Sequence, residues 1–185
     1  MKNVFITAGT TAGMVVGLML SSAMPSRAQQ SPRPAAAGQA GTEMKPTREI
    51  KVISSAGARA LVDACSAWAE QNKHVVAMAV LDWGGNLIES HAMEGAAANS
   101  IDTALLKAKS ALRWRRPTSE TNRIFRSGEN LAPQFMHDFP QPGALPIVVD
   151  GQVIGAMGVS GADGEKCAQA GIDAVFKGQA GSGGK

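Results

Sequence analysis

Tyrosine is missing from this 185-residue chain, histidine occurs three times, cysteine twice, and aromatic rings make up only 4% of the residues. Each scarcity removes a class of function. His74, His91 and His137 are scattered, with none of the short spacings by which histidines and cysteines hold zinc. Neither Cys65 nor Cys167 has a Cys-x-x-Cys neighbour, which sets aside thioredoxin-like chemistry. One-sided charge is lacking too, with 18 basic residues against 15 acidic ones. After the first twenty residues no second apolar run is long enough to span a bilayer. Gly158-Val159-Ser160-Gly161-Ala162 comes near the nucleophile elbow Gly-x-Ser-x-Gly, but its fifth residue is alanine and its strand belongs to a hairpin, so a hydrolase is set aside.

What is there begins with a leader. Lys2 supplies a positive start, residues 4–20 are mostly apolar, and Ser26-Arg27-Ala28 ends in a small residue where a signal peptidase reads. We therefore expect a signal peptide over residues 1–28 and a periplasmic or secreted protein with no stable membrane anchor; an uncleaved anchor is the alternative, weakened by the threonines and glycines in the run. Loss of Lys2 and Arg27 with the leader leaves 16 basic and 15 acidic residues, so the basic isoelectric point says little about nucleic acid. Arg113, Arg115 and Arg116 surround Trp114, but a solvated helix end near its negative pole explains such a cluster without a nucleic-acid partner. Residues 29–49, rich in Pro, Ala, Gly and Gln, read as a disordered linker, residues 50–177 as one domain, and residues 178–185 as a flexible tail.

Within the domain the hydrophobic period changes several times. Ser54 or Ser55 caps a helix running to about Asn72, with Ala60, Leu61, Ala64, Cys65, Trp68 and Ala69 on its apolar face. Residues 75–81 form a continuous apolar run of strand length, Asp82-Trp83-Gly84-Gly85-Asn86 is a turn, and residues 87–93 return as a second strand. A helix from Asn99 or Ser100 buries Ile101, Ala104, Leu105, Ala108, Ala111 and Leu112 while Lys107, Lys109 and Arg113 face away, until Pro117 stops it. A shorter helix follows from Thr118 or Ser119 through Phe125. Residues 129–143 carry no period but hold Leu131, Phe135, Met136 and Phe139, a loop expected to cover part of the fold. Asp150-Gly151 then joins two β-prone runs as a hairpin, and the second run carries Gly155, Gly158 and Gly161, where another backbone or a ligand can come close. A last helix follows Ala162 or Asp163 and runs to Lys177. Helices and hairpins in this order predict an α+β domain with one central antiparallel sheet of about five strands, the fifth at residues 50–53, and helices packed on it. Cys65 and Cys167 each fall in a predicted helix; a bond requires those helices to lie side by side, and the spacing leaves this open.

Several of these pieces together resemble a known family. They are the turn from Asp82 to Gly85, Met93-Glu94-Gly95-Ala96, Lys107-Ala108-Lys109-Ser110-Ala111, Arg116-Pro117-Thr118-Ser119, and the closing Gly155-Ala156-Met157-Gly158-Val159-Ser160-Gly161. The pattern, covering roughly residues 50–177, is similar to the GlcG and HbpS-like haem-binding family, which includes the carboxy-terminal domain of PduO-type cobalamin adenosyltransferases. The resemblance implies an antiparallel α+β domain, symmetric homo-oligomers, and haem as cofactor in a haem-handling or haem-sensing role. This chain has Glu94 where the family commonly has aspartate, keeps one glycine, Gly143, where two usually precede the second hairpin, and has Ser110 where threonine is frequent.

Haem needs an apolar slot, an axial ligand and donors for its propionates. His91 and Met93, two apart on a strand, share one face and form the preferred ligand region, with His137 in the apolar loop as a further iron ligand and His74 a weaker one. Arg113 and Arg116, the Ser110 hydroxyl, and the amides of Ser160 and Gly161, if the last helix begins there, are the candidate haem contacts. Two alternatives stand beside a haem binder: an enzyme acting on a small carboxylate or a corrinoid, and a ligand-free oligomerisation domain. Trp83, in a hairpin turn with little core to enter, is expected at a subunit interface.

Overall fold

The apolar run after Val75 lies in the middle of the sheet, with every side chain from Val76 to Leu81 at 0% exposure. A strand can be apolar on both faces only if both are covered, and here helices cover both. The computed structural model describes residues 46–177; the expected leader, the tail and most of the expected linker lie outside these residues. The elements are α1 (Ser55–Gln71), β1 (Ala77–Asp82), β2 (Leu87–Ala92), α2 (Ser100–Trp114), α3 (Thr118–Arg126), α4 (Ala132–Phe135), β3 (Ala144–Val149), β4 (Gln152–Ser160) and α5 (Gly164–Phe176). The four strands form one antiparallel sheet in the order β2-β1-β4-β3, so the fold is α+β as expected. The fifth strand does not form. Residues 50–53 take no strand conformation, and the Lys51 N–H donates to the side chain of Gln152 (3.0 Å) rather than to a strand backbone.

Side-chain alternation divides the core. Met78, Val80, Ile147, Met157 and Val159 face α1 and α5, while Leu81, Ala144 and Ala156 meet Ala108 and Ala111 of α2 on the other side. Gly158 shows why β4 needs glycine. A Cβ there would stand 2.0 Å from the Ala104 carbonyl oxygen, so α2 rests directly on the strand backbone. The Asp150-Gly151 turn has φ of +48° and +76°, the paired positive values a two-residue hairpin requires.

The capping hydroxyl of α1 is Ser54, whose Oγ accepts from the Gly57 N–H at 3.0 Å. Its buried face is Ala58, Leu61, Val62, Cys65 and Ala69, whereas Ala60 is exposed, so the stripe lies about one residue out of phase with the expected one. Helices α1 and α5 do lie side by side. Cys65 and Cys167 form a wholly buried disulfide with Cα atoms 4.9 Å apart, and a Cβ on Gly171 would come within 2.8 Å of the Leu61 carbonyl oxygen.

Two expectations fail on tertiary grounds. Lys107 does not face away from the core but is 8% exposed, because its amine donates to the Val159 carbonyl oxygen at 3.1 Å. The loop at residues 129–143 does not use its large side chains as a cover. Leu131, Phe135 and Met136 point into solvent, Phe139 is only half-buried, and the buried residues there are Pro133, Pro140 and Gly143. Among the described residues no helix is long and apolar enough to cross a membrane.

Candidate functional site

On α2, Ser110, Arg113 and Trp114 are spaced three and four residues apart and share one helix face. The loop after α4 returns to that face and inserts Asp138. Its carboxylate, 4% exposed, accepts from the Ser110 hydroxyl at 3.0 Å and from the Trp114 indole N–H, and stands 3.7 Å from the Arg113 guanidinium. A carboxylate so far from water needs such donors, and with them it pins the loop to α2. Arg113 adds a hydrogen bond to the Met136 carbonyl oxygen at 3.4 Å. The result is displayed at the preceding residues: Phe135 is 77% exposed, Met136 48%, and His137, held at φ +49°, is exposed beside them. Arg116 lies two residues past the helix, donating to the Trp114 carbonyl oxygen (3.3 Å) and pairing with Glu120 (3.4 Å).

His91 and Met93 are elsewhere. In the β1–β2 register His91 stands opposite Met78, on the α1 side of the sheet, and Met93 packs against the core beneath α1 and α5. The two share a face as their spacing implies, but the sheet lies between them and α2. His91 borders a groove of about 370 Å³ between α1 and the edge strand β2, together with Arg59, Asp63, Glu70 and Glu89. Three carboxylates thus face one guanidinium, and Arg59 is already bound to Glu89 at 2.7 Å.

Ser160 and Gly161 form a third place, at the end of β4. Helix α5 begins at Gly164, so their amides are not those of its first turn, contrary to the expectation. The polar group built here is one sequence reasoning missed. Glu165 accepts from the Thr118 hydroxyl (3.1 Å), the Ser119 N–H (2.7 Å), the Ser119 hydroxyl (2.7 Å) and the Gly143 N–H (3.4 Å). Burial pushes the Lys107 amine below its ordinary range, an effect the Glu165 carboxylate partly offsets. Helical spacing is the one signal that could have found Lys107. It falls on the stripe of Ser100, Ala104, Ala108 and Ala111, three or four residues from its buried neighbours. His74, the weaker ligand candidate, lies 3.4 Å from Asp163 at the start of α5.

An antiparallel four-stranded sheet between two helices and a third, closed by a Gly-Val-Ser-Gly strand end, defines the class of domain. Residues 53–173 match the family described as haem degrading protein HbpS-like, and the chain belongs to that family. The GlcG protein of Escherichia coli strain K12 is 33% identical over 109 residues, 59% of this chain and 81% of that one. Protein ORFY of Klebsiella pneumoniae superposes with a TM-score of 0.66 at 29% identity, covering 71% of this chain and 96% of its own. A complex of PduOC with haem superposes at 0.62 and 25% identity, over 68% of this chain and 96% of that one.

Proposed function

We propose that this chain is an exported haem-binding protein, acting in haem handling or sensing, in which His137 carries the iron ligand. Haem is a candidate cofactor through the family and the haem complex of a structural neighbour. One observation carries the choice of site: Phe135, Met136 and His137 stand exposed in succession on a loop whose next residue is fastened to α2. Consecutive large apolar side chains in water call for a cover, and a flat macrocycle with an imidazole on its iron supplies one. Arg113 and Arg116, both partly exposed, are the donors within reach of that loop's helix for propionates. His137 would hold the iron and Arg113 and Arg116 the propionates, and haem would supply redox and small-ligand chemistry there. Asp138 serves by positioning, holding the loop so that His137 is presented.

The groove beside His91 suits propionates poorly, since Asp63, Glu70 and Glu89 would repel them. Export is supported by the buried Cys65–Cys167 bond, because such bonds persist in oxidising compartments. Self-association belongs to the same reading, with β2 and β3 as the open sheet edges, and light scattering should return a multiple of the monomer mass. Titration of the mature protein with hemin, followed in the Soret region, tests the assignment. Saturable binding that His137→Ala abolishes and His91→Ala leaves intact supports it. The reverse pattern moves the ligand to the sheet edge, and no saturable shift removes haem binding.

A second reading, an enzyme acting on a small carboxylate, draws on Lys107 alone. A buried amine with a depressed pKa beside a carboxylate is the kind of group acid–base chemistry employs. NMR titration of isotopically labelled lysine side chains decides whether it is available: a Lys107 signal that titrates with the surface lysines would sink this reading.

A further inference from the structure

Both hairpin turns lie at one end of the sheet, since Asp82 stands opposite Gly155 in the β1–β4 register. Helix α2 ends at the same pole, where Leu112 comes within 3.8 Å of the Cβ position of Gly85. The segment before α1 crosses there as well, tied by the Lys51 N–H to Gln152 at 3.0 Å. These pieces border an open cleft of about 430 Å³, walled by Ile50, Trp83, Leu112 and Val153 and edged by Arg48, Arg115 and the carboxylate of Glu49. We infer that this cleft is a binding site for a small planar aromatic carboxylate, separate from the haem site.

Ring and charge are both laid out for such a ligand. Trp83 sits in a turn and is 46% exposed, so its indole offers a free face to a stacking ring, flanked by aliphatic walls. Three cations and one carboxylate line the space. Lys51 is engaged by Asp150, but Arg48 and Arg115 join none of the ion pairs among the described residues. A guanidinium grips a carboxylate through two parallel N–H donors and also stacks on flat rings. Arg115 occupies the left-handed position at the end of α2, φ +53°, which glycine usually fills, so its side chain is carried there against backbone preference. The volume falls within the range of small-molecule pockets. Among the described residues no histidine, cysteine or methionine borders the cleft.

The probe is 2-naphthoate, titrated into the mature protein by calorimetry while the Trp83 indole N–H signal is followed by NMR, assigned with Trp83→Phe. Saturable binding that moves this signal is expected, weakened about tenfold or more by Trp83→Ala, by Arg115→Gln, and by exchange of the carboxylate for the alcohol of 2-naphthylmethanol. Arg115→Gln lies at the surface and keeps the test usable if Trp83→Ala unfolds. Hemin titration should be unchanged in Trp83→Ala, and naphthoate binding unchanged in His137→Ala, so failure of either site is seen apart from the other. The inference is overturned if naphthoate does not saturate by about 1 mM or binds both variants as it binds the wild type. It is likewise overturned if Trp83→Ala lowers the mass by light scattering, which would give the cleft to a second copy of the chain.

Discussion

Reducing the Cys65–Cys167 bond is a perturbation whose size follows from the fold. The bond joins residues 102 apart in sequence, α1 to α5, and so closes a loop spanning nearly the whole domain. In the chain-entropy account, a cross-link over a loop of this length removes about 4–5 kcal/mol of freedom from the unfolded state. Little opposes this in the native state. Both sulfur atoms lie among apolar neighbours at 0% exposure, and the reduced thiols can remain there as small hydrophobic groups. A loss of about 4 kcal/mol is a large share of the roughly 5–15 kcal/mol that holds a domain together. In a domain of this size it corresponds to a melting point lower by roughly 10–20 °C. The assay is thermal unfolding followed by circular dichroism, with and without reductant, alongside the variant with both cysteines changed to alanine. A sample shown by mass to be fully reduced, yet melting within about 3 °C of the oxidised protein, would refute the reasoning.

Three further outcomes follow from packing and charge. Gly158→Ala should cost about 1–3 kcal/mol or more in urea unfolding, because the added methyl meets the Ala104 carbonyl and must push α2 off the sheet. Asp138→Ala leaves the Ser110 hydroxyl and the Trp114 indole without their acceptor; a loss of about 1–3 kcal/mol, a shifted Trp114 emission and weakened hemin binding are expected. At the first turn, partial burial opposes ionisation of Asp82, but hydrogen bonds from Asn86, Gly84 and Gly85 outweigh it and hold the carboxyl below its ordinary range. The folded state therefore binds this proton less readily than the unfolded one. The turn contributes stability above the unfolded value of about 3.8, and loses it as pH falls through the lower folded value. Stability curves of wild type and Asp82→Asn should accordingly differ at neutral pH and converge in acid; parallel curves would contradict this.

Features decided by a few neighbouring residues were readable in the sequence. Asp150-Gly151 dictates its own positive φ values, Ser54 caps the helix it precedes, and the apolar run of residues 75–81 has the length and turn flank of a strand. The closing glycine motif identified the family because the close approach of α2 leaves Gly158 no room for a side chain. Features that depend on distant partners were not readable. Residues 50–53 have strand-like composition but find no partner strand, so their backbone turns to the Gln152 side chain. Lys107 was assigned to solvent by its charge, yet it is buried because the Val159 carbonyl, 52 residues away, accepts from its amine. The cysteine pairing waited on the contact of α1 with α5. The cluster around Asp138 joins residues 24 to 28 apart through a loop with no hydrophobic period, so Ser110, Arg113 and His137 could be named singly but not placed together.

The central claim is that haem binds where the loop after α4 displays His137. Its most direct measurement is the hemin titration of mature wild type, His137→Ala and His91→Ala in parallel. A saturable Soret shift lost only in His137→Ala is the expected result. A shift that persists in His137→Ala and disappears in His91→Ala would contradict the claim.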